Sequence, residues 1–343
     1  MSGGMIRTIA SMAVTVFMCM CCVSPVSSAA PQEEKVVYVQ EAKPAAAVKS
    51  SPVTNIKKTV KVKEDMVVKA GETLYVRSGG RLYIDEGVKL TVNGKLKVAN
   101  GGEVYIKGSA DINEGALTSI SGKLKIMSAG NIDLSGELWV NPTGTVKGLG
   151  TLSVLNEFSD IICKGTVTAK IKAPQPVEKK GMTYVGGILL VNKKYALPES
   201  YGDGLDSAAY SAYVKMKSAS GYDMSIVSGF RSYSKQQQTF AYWCSIDGEE
   251  VASTYSARPG HSEHQTGLAM DITSLNQSYG KTAEGKWLAA NCYKYGFIIR
   301  YPKNKTNITG YMYEPWHIRY LGVSNAKLVH DSGLTLEEFL GVA

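Results

Sequence analysis

Gly80-Arg-Leu82-Tyr-Ile84, Gly94-Lys-Leu96-Lys-Val98, Gly122-Lys-Leu124-Lys-Ile126 and Gly136-Glu-Leu138-Trp-Val140 share one formula: a glycine, then polar and apolar residues in alternation. The glycines recur at Gly80, Gly87, Gly94, Gly102, Gly108, Gly115, Gly122, Gly130, Gly136, Gly144 and Gly150, mostly seven residues apart. Period-two alternation makes a short strand with one buried face, and the glycine supplies a turn. No single unit of this size can cover its own apolar face, so a regular series predicts stacked coils. With three strands to a coil, the repeat is on the order of 20 residues. Residues 59–172 are therefore expected to form an all-β, β-solenoid-like repeat domain. An antiparallel meander or sandwich also fits short strands between turns.

On the N-terminal side, Arg7 leads into an apolar run from Ile9 to Val23 and then Ser28-Ala29-Ala30. That layout predicts a secretory signal peptide over residues 1–30, hence a secreted or cell-envelope protein with no stable membrane span after cleavage. Residues 31–58, rich in Ala, Pro, Val and Lys, are expected to be a linker. The formal charge of +8 favours a polyanionic neighbour. For an exported protein that points to anionic polymers of a cell envelope and away from nucleic acid. Beyond the signal stand Cys163, Cys244 and Cys292, an odd number without C-x-x-C spacing, so neither a disulfide scaffold nor a thiolate zinc site is indicated. Cys244 and Cys292 either pair or stay as free thiols.

On the C-terminal side, the glycine repeat stops. Residues 173–182, with Pro174, Pro176 and several lysines, are expected to be a second linker. Residues 183–343 mix periods: helices are predicted over Ser207–Ser220, Lys235–Trp243 and Lys286–Tyr295, and strands over Met224–Val227 and Leu268–Ile272. This is an α+β domain on the order of 160 residues, enough for its own core. It holds all four histidines, whereas the repeat domain has none. His264, Asp271 and His317 offer two imidazoles and a carboxylate, a donor set that suits catalytic zinc with an open position. Glu314, three residues before His317, could take a proton from a metal-activated water. The residue types alone permit such a site without requiring it. Serine catalysis through Ser262 lacks a G-x-S-x-G elbow, and no cysteine stands in a nucleophile's setting.

Ser262-Glu-His264-Gln-Thr-Gly267-Leu-Ala269-Met-Asp271 resembles the S-x-H-x-x-G-x-A-x-D pattern of the VanY-type D-alanyl-D-alanine carboxypeptidases. Glu314-Pro-Trp-His317 resembles their E-x-x-H element, and Ser228-Gly-Phe-Arg231-Ser-Tyr233-Ser-Lys-Gln236 resembles a third motif upstream. The likeness runs from about Gly181 to Leu340 and leaves the repeat domain outside. It implies a zinc peptidase fold with Zn2+ on His264, Asp271 and His317. It implies Glu314 as general base and Arg231 beside the scissile carbonyl. Gln236, Ser262, His261 and Trp316 would line the substrate. The implied substrate is a peptidoglycan stem peptide, cut at a terminal D-Ala-D-Ala bond, at an L-residue to D-alanine bond, or inside the stem. A wall-binding protein with an idle metal site is the contrasting expectation. The repeat domain would then be a spacer or a wall-binding surface bearing exposed Lys, Tyr and Trp139.

Overall fold

Alternation decides the first half of the molecule. In strands such as Lys89–Val92 and Glu103–Ile106, every second side chain points inward, and Leu90, Val92, Val104 and Ile106 are almost wholly buried. The computed structural model describes residues 53–343, so the expected signal peptide and nearly all of the first linker lie outside the described residues. From Val53 to Lys172 the chain forms three parallel sheets of six strands each. Each strand pairs with the strand one coil later: Thr73 sits beside Lys95 and Lys95 beside Leu117, steps of 22 residues, and Leu117 beside Glu137, a step of 20. Every ladder is parallel, which makes the domain a β-solenoid and removes the antiparallel alternative. Each fully buried Leu, Ile or Val contributes on the order of 1.5–3 kcal/mol, and the coils stack these side chains in line.

The glycines act differently from the turn role expected of them. Gly87 and Gly115 do take positive φ, 76° and 77°, in open space. Most of the others do not. A Cβ on Gly122 would lie 2.2 Å from the Gly102 carbonyl oxygen, and one on Gly80 2.2 Å from that of Ile56. These positions are glycine because the backbone of the preceding coil passes directly against them.

Two expected boundaries shift. Val53–Ile56, placed in the first linker, is the opening strand of the solenoid and pairs with Thr73–Val76. Residues 173–182, expected as a linker, contain the strand Val177–Lys179, which joins Met182–Val185 and Ile188–Leu190 in a small antiparallel sheet. Proline and lysine content misled there, because an edge strand tolerates both.

The α+β domain is built on a four-stranded antiparallel sheet: β1 (Ile226–Ser228), β2 (Ala269–Ile272), β3 (Phe297–Tyr301) and β4 (Glu314–Tyr320), in the order β1-β2-β4-β3. Helix α1 (Ser207–Ser220) begins where Asp206 accepts a hydrogen bond from the Ala209 N–H at 2.8 Å, and ends at Gly221 in the left-handed region. Helix α2 (Tyr233–Asp247) is capped by Ser232. Helix α3 (Ala283–Asn291) is shorter than the expected Lys286–Tyr295, because its last turn tightens to 3-10 geometry over Cys292–Tyr295. Met216, Met270, Ile272, Phe297 and Ile318 form the core beneath the sheet. Cys244 and Cys292 are both free thiols.

Helices α4 (Val323–Ser332) and α5 (Leu336–Phe339) close the chain. Helix α4 lies on the last solenoid coil, where the Cys163 N–H donates to Ser324 Oγ at 3.2 Å. The rings of Phe158 and Phe339 meet at 5.1 Å, and one hydrophobic cluster runs unbroken from the coils into Leu328, Val329 and Leu336. The α+β domain therefore caps this end of the solenoid. No helix among the described residues is long and apolar enough to cross a membrane.

Candidate metal centre

Asp271 and His317 face each other across the β2–β4 ladder, and directly opposed residues on antiparallel strands project to the same side. His264 arrives from the 3-10 turn Glu263–Thr266, which ends at Gly267 with φ 72°. The close approach of Gly267 to the Gly204 carbonyl leaves no room for a Cβ. Glu314 and His317 are three apart, which on a regular strand would send them to opposite faces. An irregularity prevents this: pairing passes from Ile299–Ile318 to Tyr301–Glu314, advancing two residues on β3 and four on β4. The extra residues around Pro315 turn Glu314 back toward His317, and Glu314 Oε2 lies 3.5 Å from His317 Nδ1.

His264 Nε2 is 3.1 Å from Asp271 Oδ2, and His317 Nδ1 is 3.1 Å from Asp271 Oδ1. One donor atom from each of the three lies within 4.8 Å of the others, all buried. A tetrahedral zinc site with bonds of roughly 2.0–2.1 Å has donor-to-donor edges of about 3.3 Å, so the spacing fits. Hydrogen bonding agrees. The His264 Nδ1–H donates to the Gly229 carbonyl at 2.7 Å, which leaves Nε2 as a lone pair. Asp271 Oδ1 is buried without a hydrogen-bond partner, despite its nearness to His317. Two imidazole nitrogens and a carboxylate oxygen without a hydrogen-bond partner, all converging on one point, suit a divalent cation.

Burial works against the charge of Asp271, but the His264 and His317 imidazoles hold its carboxyl below the usual carboxylate range. Glu314 goes the other way: burial pushes it up to about 8 in the metal-free protein. Burial likewise opposes protonation of His317, yet Asp271 and Glu263 draw it up to about 9. Burial lowers Arg231, and the charges of Asp271 and Glu314 oppose that shift.

These groups line a cleft of about 360 Å3 that also takes in Ser262, Trp316, Tyr301 and Tyr311. Trp243 and Tyr255, in an edge-to-face pair at 5.6 Å, form part of its wall. Arg231 enters from the segment after β1, donating to Ser228 Oγ at 2.7 Å and Gln236 Oε1 at 2.9 Å. Gln236 differs from its expected place against substrate. It is fully buried, its Nε2 donates to the Ala257 carbonyl, and its Oε1 is taken by Arg231. It braces the arginine. His261 likewise stands outside the cleft lining, its Nδ1–H donating to the Asn192 carbonyl at 2.8 Å.

The sequence reading passed over a second charged layer. Glu263, wholly buried, accepts from Arg300 at 2.8 Å and from Arg319 at 2.7 Å. Burial would raise its carboxyl, but the two guanidiniums hold it well below the ordinary range. The signal was present: an arginine within Phe-Ile-Ile-Arg-Tyr and another within Trp-His-Ile-Arg-Tyr are charges in strands that otherwise read as core. Trp243 and Tyr255 had no such marker.

The family model described as VanY: D-alanyl-D-alanine carboxypeptidase matches residues 203–323. Putative carboxypeptidase YodJ of Bacillus subtilis is 45% identical over 180 residues, covering 44% of this chain and 66% of that protein. The solved LdcB LD-carboxypeptidase is 41% identical, covering 49% of this chain and 94% of that one, at a TM-score of 0.45. A mutant of the vancomycin-resistance D,D-pentapeptidase VanY, solved in complex with Zn(II), is 34% identical, covering 44% of this chain and 97% of that one, at a TM-score of 0.39. The chain spans 66%, 35% and 65% of the length of the first three curated relatives it matches. Through its C-terminal domain, the chain belongs to the VanY family of D-alanyl-D-alanine carboxypeptidases.

Proposed function

We propose that this protein is an exported zinc carboxypeptidase that removes the terminal D-alanine of peptidoglycan stem peptides, with D-Ala-D-Ala ends the first choice. The observation that carries the reading is the convergence of His264, Asp271 and His317 with Glu314 and Arg231 in one cleft. His264 Nε2, Asp271 and His317 Nδ1 would hold the metal. When bound, zinc supplies Lewis acidity to the scissile carbonyl and to water. Glu314 takes the proton from the attacking water and later passes it to the leaving D-alanine amine, so one carboxylate serves as base and then acid. The Arg231 guanidinium, fixed by Ser228 and Gln236, stabilises the negative charge that develops on the carbonyl oxygen. Trp243, Tyr255 and Trp316 shield the reacting groups from bulk water.

A second reading, cleavage of the L-residue to D-alanine bond of a tetrapeptide stem, has a specific support. Identity to the LD-carboxypeptidase LdcB, 41%, exceeds that to the D,D-pentapeptidase VanY, 34%. Export is supported by the layout of residues 1–30 and by a substrate found outside the cytoplasm. An anionic wall polymer as a further partner is supported by Lys61, Arg81, Lys123 and Lys147, all exposed on one solenoid sheet.

The test is D-alanine release from defined pentapeptide and tetrapeptide stems, with and without chelator. Chelator-sensitive release from the pentapeptide is expected. Release from the tetrapeptide alone would move the assignment to the second reading. No release from either, with zinc bound, would leave a wall-binding protein.

A further inference from the structure

The two imidazoles of the metal centre are backed differently. His264 leans on a neutral backbone carbonyl, that of Gly229. His317 turns its Nε2 toward a carboxylate, Glu263 Oε2, at 3.6 Å. Both of those atoms are buried, and neither has a hydrogen-bond partner. The gap is a few tenths of an ångström beyond a hydrogen bond. On the other side of the ring, Nδ1 faces Asp271 Oδ1 at 3.1 Å. A neutral imidazole carries one proton, so whichever nitrogen keeps it leaves the other as the ligand.

We propose that Glu263 is a positioning residue for His317: it holds the ring proton on Nε2 and thereby presents Nδ1 to the metal. The inference rests on the zinc reading above. A wholly buried carboxylate needs compensating charge to stay in place. Arg300 and Arg319 supply it through Oε1, which leaves Oε2 free for the imidazole. Arg319 is tied in turn to the Leu189 carbonyl at 2.7 Å. Arg300 also donates to both carboxylate oxygens of Glu337 on α5, at 2.8 and 2.6 Å. A series of charged contacts thus leads from α5 to Glu263, which stands behind His317. Carboxylate backing makes an imidazole a stronger ligand than carbonyl backing does, so His317 is the ligand this chain secures.

The experiment measures zinc affinity by competition with a chromophoric chelator for the wild type, Glu263→Gln, Glu337→Gln and Leu124→Ala. The last destabilises the solenoid core far from the site and controls for lost stability. Glu263→Gln is expected to bind zinc about 10- to 100-fold more weakly, the usual range for such partners. Glu337→Gln should bind more weakly by a smaller factor, and Leu124→Ala should match the wild type. If Glu263→Gln loses stability as Leu124→Ala does but keeps wild-type zinc affinity, the residue is structural and the proposal is overturned. Wild-type affinity in Glu337→Gln would remove α5 from the series. Because Glu263→Gln can fail to fold, the zinc-loaded wild type is also read by 15N imidazole NMR. His317 should show a slowly exchanging Nε2 proton and a zinc-shifted Nδ1; the reverse assignment overturns the proposal without any variant. A wild type that takes up no zinc would instead defeat the metal reading itself.

Discussion

Glu314 is the residue whose chemistry depends most on its surroundings. To accept a proton it must be ionised, and burial holds its carboxyl up to about 8 in the metal-free protein. A dication close by favours the ionised form and lowers that value. Activity should therefore rise with pH through an acid limb in kcat/KM that lies below 8 in the zinc enzyme. A pH profile whose acid limb persists in Glu314→Gln would assign it to another group. The same substitution should cut kcat by about 10^2- to 10^4-fold with zinc still bound, read as D-alanine release beside a metal assay. Arg231→Met should lower kcat by about 10^2- to 10^3-fold, the range for a lost oxyanion donor. Gln236→Ala should do part of the same damage indirectly, since its amide oxygen holds the Arg231 guanidinium in place.

At the scale of the element, the two kinds of glycine make opposite claims about one substitution. Gly122→Ala drives a Cβ onto backbone oxygens at 2.2 and 2.3 Å, which cannot move without shifting two coils. A loss of about 1–3 kcal/mol is expected. Gly115→Ala meets nothing within 4 Å and suffers only from its positive φ, on the order of 1–2 kcal/mol at most. Urea unfolding midpoints at constant slope would rank them, and a costlier Gly115→Ala would refute the close-approach account. The solenoid was legible because its information is local: alternation inside four residues, and a glycine wherever one coil meets the next. The cluster of His264, Asp271 and His317 was legible because each residue sits in a short motif. The bulge that brings Glu314 round to His317 was not, since it is a mismatch between β3 and β4 that neither strand carries alone. Nor were the pairs of Glu263 with Arg300 and Arg319, whose partners are 37 and 56 residues away. The strand Val177–Lys179 was hidden by composition typical of a connector.

For the whole molecule, the shared hydrophobic cluster ties the fate of one domain to the other. Phe339→Ala removes a ring that packs on Phe158, and it should cost about 3–5 kcal/mol. Unfolding followed by a solenoid probe (a fluorophore attached to an exposed position of an outer coil) and by loss of zinc should remain one coincident transition. Two separated transitions would mean that the interface contributes little.

The capped end also governs how such a molecule can change its reach. Helices α4 and α5 occupy the final coil, so among the described residues the stack is open to extension only from the side of Val53. Duplicating one 20- or 22-residue coil there would lengthen the arm by about 4.7–4.9 Å, one strand spacing. The cleft, its ionic backing and the capping interface would stay untouched. The number of coils thus sets the distance between the Val53 end and the cleft, and it can change in single steps without altering the cleft itself.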